Sequence, residues 1–123
     1  MKTQEIRLVI EAPTDEVFEY VVEPMNTPKW IDDVSKETIN TKQIGLGTLY
    51  SNEHRTLEVT DYERDVFFEM TNKKTGYQCS YSFRKMDETK TELIYFEAMN
   101  KGSALPGPMN EKSFKKLQEL LEK

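Results

Sequence analysis

The chain is 123 residues long, 32% of them charged, with a formal net charge of -5 and a mean hydropathy of -0.72. That length reads as one domain (1–123) with a core of its own, and the acidic balance argues against a nucleic-acid partner, which needs a clustered basic face. One cysteine excludes an internal disulfide and any multi-cysteine metal site; no stretch has the apolar length of a membrane span or of a leader's core, so a cytoplasmic protein without membrane insertion is expected.

Ile6, Leu8 and Ile10 alternate with Arg7, Val9 and Glu11, which predicts a first strand with one apolar face. Ala12-Pro13-Thr14 stops it, because proline donates no ladder hydrogen bond. Asp15 and Glu16 suit the first turn of a helix, and Val17, Phe18, Val21 and Val22 give it an apolar stripe that ends at Pro24. Thr27-Pro28 starts a second, short helix whose large apolar residues are Trp30 and Ile31. Val34 to Thr41 is β-prone but polar, as an edge strand is. Ile44-Gly45-Leu46-Gly47 marks a turn, Thr48 to Ser51 and Leu57 to Tyr62 are strands around a bend at Asn52 to Arg55, and Glu63-Arg64-Asp65 turns the chain again.

The centre of the sequence is then three antiparallel strands, Val66–Thr71, Tyr77–Phe83 and Thr91–Met99, joined by Asn72–Gly76 and Asp87–Lys90. The middle strand alternates strictly: Tyr77, Cys79, Tyr81 and Phe83 against Gln78, Ser80 and Ser82. Such a strand is wet on one face and packed on the other, so the aromatic face should point to the last helix. In Thr91–Met99 both sides are apolar, Leu93 and Tyr95 against Ile94 and Phe96, and the inward side stays open. Asn100 to Pro108 is an irregular crossing, read as a gate beside the start of the last helix. Asn110 caps that helix, Lys112 to Leu121, whose stripe of Phe114, Leu117, Leu120 and Leu121 offers on the order of 6–12 kcal/mol of gross burial. The whole is α+β: strand, two helices, six strands, helix.

Few residues carry chemistry on their own. His54 is the sole histidine and has no carboxylate or cysteine at a ligand spacing, so no metal is expected. Cys79 reads as a small buried hydrophobe, and Asp32-Asp33 as a solvated helix end. Alternation places no acid, base or nucleophile on the aromatic face. The aromatic set is the informative part. Trp30, Tyr50, Phe68, Tyr77, Tyr81, Phe83, Tyr95 and Phe114, with Leu117, converge if the sheet curves around the last helix; they either fill a core or line a cavity. Buried tyrosine hydroxyls need partners, which favours a cavity with polar contents. Trp30 is expected to close one end of the core.

Several local signals resemble the START-like (Bet v 1-like, SRPBCC) superfamily, and within it the bacterial polyketide cyclase/dehydrase and lipid-transport group. They are Ile10-Glu11-Ala12-Pro13-Thr14-Asp15-Glu16-Val17-Phe18 at the first strand and helix, Trp30 in the short second helix, Ile44-Gly45-Leu46-Gly47-Thr48 at the glycine turn, and Val59-Thr60-Asp61-Tyr62-Glu63-Arg64 before the central hairpin. The resemblance spans essentially the whole chain and implies a helix-grip fold: a seven-stranded antiparallel sheet wrapped around a C-terminal helix, two short helices between strands 1 and 2, and a hydrophobic cavity. It also implies binding or transport of a small apolar or amphipathic ligand, lipid-like or polyketide-like, with the nine residues above as its contacts and no cofactor. A protein-interaction module of the chaperone-activator kind ranks second, and a cyclase- or hydrolase-type enzyme third, since no catalytic constellation is visible.

Overall fold

The computed structural model describes residues 2–99 and 109–122. Seven strands follow from the alternating stretches: β1 (Lys2–Ile10), β2 (Glu37–Ile39), β3 (Leu49–Asn52), β4 (Thr56–Glu63), β5 (Phe67–Thr71), β6 (Gln78–Asp87) and β7 (Lys90–Met99). They form one antiparallel sheet in the order β1-β7-β6-β5-β4-β3-β2. Helices α1 (Thr14–Val22) and α2 (Thr27–Trp30) lie between β1 and β2, and α3 (Glu111–Leu121) ends the chain. The α+β helix-grip arrangement expected from the sequence is the arrangement found.

The register explains the core. Inward residues line up in rows across the strands: Ile6, Tyr95, Tyr81, Phe68 and Tyr62 form one, Gln4, Glu97, Cys79, Met70 and Val59 the next. Neighbours in such a row stand close enough to pack or hydrogen-bond directly. The sheet bends where β4 carries an irregularity between Val59 and Asp61, since a bulge increases local twist and bends its strand. Gly47 and Gly76 take positive φ in the two turns that flank this region, a conformation without steric cost only for glycine.

Strand ends differ from the expectations, each for a local reason. β6 runs on through Arg84–Asp87 because this polar stretch still pairs with β7, with Arg84 Nε donating to Glu92 at 2.8 Å. Asp87 and Lys90 are therefore a ladder pair, and the connection is only Glu88-Thr89. β1 begins at Lys2 because its polar first half pairs with the end of β7. β2 keeps three residues of the predicted eight, and Val66 belongs to the turn before β5.

Each helix covers part of the concave face. α1 lies against β6 and β7 through Val17 and Phe18, both fully buried. α3 packs on β1 and α2. Its Asn110 cap accepts from Ser113 N at 3.1 Å, while Phe114 and Leu117 go to the core and Leu120 and Leu121 are half-buried. At eleven residues α3 is about 16 Å long. The expected gate at Asn100–Pro108 lies outside the described residues.

Candidate functional site

The site lies where the aromatic row meets α2 and the start of α3. All nine residues singled out from the sequence are buried. Six of them, Trp30, Tyr50, Phe68, Tyr77, Tyr81 and Tyr95, line one cavity of about 50 Å³. The other three do not reach it. Phe83 packs on Phe18 at 5.0 Å between ring centroids, Phe114 fills the angle between Trp30 (5.4 Å) and Tyr95 (5.1 Å), and Leu117 is sealed under α3. Trp30 is 1% exposed and closes this end of the core, as its place in the sequence predicted.

The open side of β7 is settled by pairing. Tyr95 stands opposite Tyr81, so Leu93, Tyr95 and Glu97 face inward while Ile94 and Phe96 face out. This corrects the reading that alternation puts no acid on the aromatic face. Glu97 is 0% exposed. Its Oε1 accepts from the hydroxyls of Tyr95 (2.8 Å) and Tyr77 (3.1 Å), and its Oε2 accepts from Gln4 Nε2 at 3.3 Å. The Tyr77 and Tyr95 hydroxyls are also 3.3 Å apart. The two phenols and the Glu97 carboxyl thus form one closed triangle of contacts. Gln4 Nε2 donates as well to Met109 O at 2.6 Å, which ties the start of α3 to this network. Burial raises the pKa of Tyr77 and Tyr95, so both stay protonated donors at neutral pH.

The rim is polar and was not visible as a set in the sequence. Asp33, Glu37, Asn52, His54 and Arg55 come from three separate segments. Arg55 holds its guanidinium 5.2 Å from the Tyr77 ring centroid, a cation–π contact. His54 Nε2 donates to the Asp33 carbonyl at 2.6 Å, so the ring orders the rim. Among the described residues there is no group of three or more metal-ligating side chains. Glu37 accepts from Thr27 Oγ1 at 2.6 Å and from Asn52 Nδ2 at 3.5 Å, and burial raises its pKa. Outside this rim a shallower hollow of about 380 Å³ shares Asp33, His54, Arg55 and Tyr77 with the inner cavity and adds Asn72, Thr75 and Met99.

Two buried nitrogens of residues that line the cavity, Trp30 Nε1 and Arg55 Nε, find no acceptor among the described residues. Tyr50, by contrast, is spent on structure, donating to Val22 O at 2.7 Å. Cys79 faces the cavity as a thiol, since burial pushes its pKa up to about 12, and it is no nucleophile at neutral pH. Asp32 pairs with Lys116 across α2 and α3, which lowers its pKa, and so acts as a tie between helices.

A seven-stranded antiparallel sheet gripping a C-terminal helix, with a small polar-rimmed cavity beneath, defines a helix-grip-like α+β protein. Within that class the chain belongs to a family described as a domain of unknown function, DUF3284, whose profile it matches over residues 1–117. No curated protein matches the sequence. Solved structures share the fold. EF2215, a conserved protein of unknown function from Enterococcus faecalis, has a TM-score of 0.77 at 14% identity, covering 98% of this chain and 71% of that one. CalU16 from Micromonospora echinospora has a TM-score of 0.77 at 15% identity, covering 97% and 75%. The Aha1 dimer from Colwellia psychrerythraea has a TM-score of 0.74 at 13% identity, covering 99% and 97%. At such identities the likeness is one of fold. No helix among the described residues is long and apolar enough to cross a membrane.

Proposed function

We propose that the protein binds a small amphipathic ligand at the concave face, with a compact head in the inner cavity and a larger body in the outer hollow. The observation that carries this reading is the convergence of an aromatic wall and a polar rim on one cavity. A protein that needed only a core would gain stability by filling that space. The inner volume of about 50 Å³ has room for a few waters or one small group. Enclosing a drug-sized or lipid-like molecule takes roughly 300–1,000 Å³, so a small ligand fits better than an acyl chain.

The interaction-module reading has less support. Among the described residues, the exposed apolar residues Met25, Leu46 and Val66 sit in separate turns, and the neighbouring strands β1, β7 and β6 carry one each, Val9, Phe96 and Met86. An enzyme is supported less still, because Glu97 is sealed behind Tyr77 and Tyr95 and is absent from the cavity lining. Native mass spectrometry of the protein purified from cells tests the binding reading. A bound mass of a few hundred daltons that leaves on denaturation is the expected result. A clean apo mass, with no uptake of small aromatic probes at millimolar concentration, would overturn it.

A further inference from the structure

The two edges of the sheet are finished differently. β2, at one edge, is three residues long, while β1, at the other, runs for nine. A long open edge is a template for another strand, and short edge strands avoid that. Hydrogen-bond parity says which groups of β1 look outward. Phe83 N donates to Val66 O on the β5 side, so the even-numbered residues of β6 bond to β7. Through the unbroken β1–β7 register, Gln4, Ile6, Leu8 and Ile10 then bond to β7, while Thr3, Glu5, Arg7 and Val9 turn their N–H and C=O groups to the open edge. The Val9 carbonyl agrees, since it accepts from Gln118 Nε2 of α3 at 2.7 Å. Glu122 takes the N–H of Glu11 at 2.9 Å, so α3 covers the last part of this edge. The backbone groups of Glu5 and Arg7 that face outward find no partner among the described residues.

The side chains of this stretch say what fits there. Glu5 and Arg7 are 46% and 57% exposed and pair along the strand at 2.8 Å. A run of one sign would repel a copy of itself, a common guard on exposed edges. An acid and a base two residues apart do the reverse at one register. When two β1 strands lie antiparallel about a two-fold axis at Ile6, Glu5 of each copy stands opposite Arg7 of the other. Both residues point to the edge, so each such pair exchanges both of its backbone hydrogen bonds. The charges then alternate in sign around the axis, and opposite charges facing one another across strands stabilise the pairing. Moving the axis to Glu5 or to Arg7 sets like charge against like. The bond from Gln118 to Val9 ends the added strand on each side.

We infer that this edge is a self-association surface, at which two copies of the chain join antiparallel through Glu5 and Arg7 about an axis at Ile6. It is independent of the cavity. Only a short stretch pairs, which places the association at the weak end of protein interfaces. Sedimentation equilibrium of the intact chain from about 10 μM to about 1 mM spans that range and should show a monomer–dimer equilibrium. Glu5→Arg and Arg7→Glu each set like charges opposite one another, and each should weaken association about tenfold or more. Mixed in equal amounts, the two variants should recover wild-type association, because each supplies the sign the other lacks. Amide hydrogen exchange gives a second readout. The Glu5 and Arg7 amides should gain protection as concentration rises, whereas those of Ile6 and Leu8, bonded to β7, should be protected throughout. Should a variant not fold, the wild-type amides still decide. A chain that stays monomeric at the highest concentration would overturn the inference. So would a dimer that neither reversal weakens, or folded variants whose mixture stays monomeric. Protection of the Glu5 and Arg7 amides in the monomer would overturn it too, since another part of the chain would then cover the edge.

Discussion

The two ends of the concave face are built on opposite principles. Under α1 the aromatic interior packs ring on ring: Phe18 meets Phe83 at 5.0 Å and Tyr62 at 5.7 Å, while at the edge of this end Asp65 Oδ1 finds no partner among the described residues. Thr91, wholly buried, donates to Ala12 O at 2.9 Å and accepts from Thr14 Oγ1 at 2.9 Å, closing the corner between β1, α1 and β7. Under α2 and α3 the same aromatic rows continue, but the interior holds a cavity, the buried Glu97 and two buried nitrogens with no acceptor among the described residues. One sheet therefore supplies a scaffold at one end and an unfinished interior at the other. A cavity lined by buried aromatic side chains is what a binding site costs a fold of this size, because a filled core excludes a ligand.

Truncation of a large side chain at each end sharpens this contrast most. Phe18→Ala and Trp30→Ala should each cost about 3–5 kcal/mol in denaturant unfolding, as for buried aromatic truncations generally. They should part company in binding. Phe18→Ala should leave probe affinity at the cavity unchanged, while Trp30→Ala should alter it, since the indole forms part of the wall. A loss below 1 kcal/mol for Trp30→Ala would show that the cavity end does not hold the fold together.

Glu97→Leu comes next. It removes the acceptor shared by Tyr77, Tyr95 and Gln4, and should cost about 1–3 kcal/mol, the usual penalty for stranding buried partners. No loss in thermal or denaturant melts would mean that the tyrosines find other partners and that the network is dispensable.

Glu37 gives a pH signature to the cavity end alone. Burial raises its folded-state pKa above the ordinary 4.5, so between that value and the folded pKa the native state holds a proton that the unfolded chain has released. Its contribution to stability is fully present below pH 4.5 and is lost as pH rises through the folded pKa. Glu37→Gln cannot lose it. Melts of both proteins from pH 4.5 to pH 8 should show the variant gaining on wild type as pH rises; a constant difference would place Glu37 in water. The smallest effect belongs to the tie between α2 and α3: Lys116→Ala, which breaks an exposed pair with Asp32, should cost about 0.2–1 kcal/mol and weaken further in salt.

Much of the scaffold was legible because it rests on local signals. Strict alternation from Tyr77 to Phe83 put those side chains on the packed face, Asn110 marked the start of α3, and Thr27-Pro28 marked α2. The cavity end was less legible for a physical reason. Period-2 alternation says which residues of β7 share a face, and so pairs Glu97 with Tyr95, but both faces of that strand are apolar. Only the register with Tyr81 decides which points inward. Arg55 lies in a bend whose sequence gives no hint that the chain returns it over Tyr77. Polar residues that reach a site from bends and edge strands, as Glu37 and Arg55 do, carry no periodic signal at all.

The most direct measurement is a map of backbone amide shifts, residue by residue, on saturation with a small aromatic probe, acetophenone. Shifts should cluster around Trp30, Arg55, Tyr77 and Met109, with Phe18, Phe83 and Thr91 unmoved. Shifts of equal size at the α1 end, or none anywhere, would contradict the division of the fold into a finished end and a receptive one.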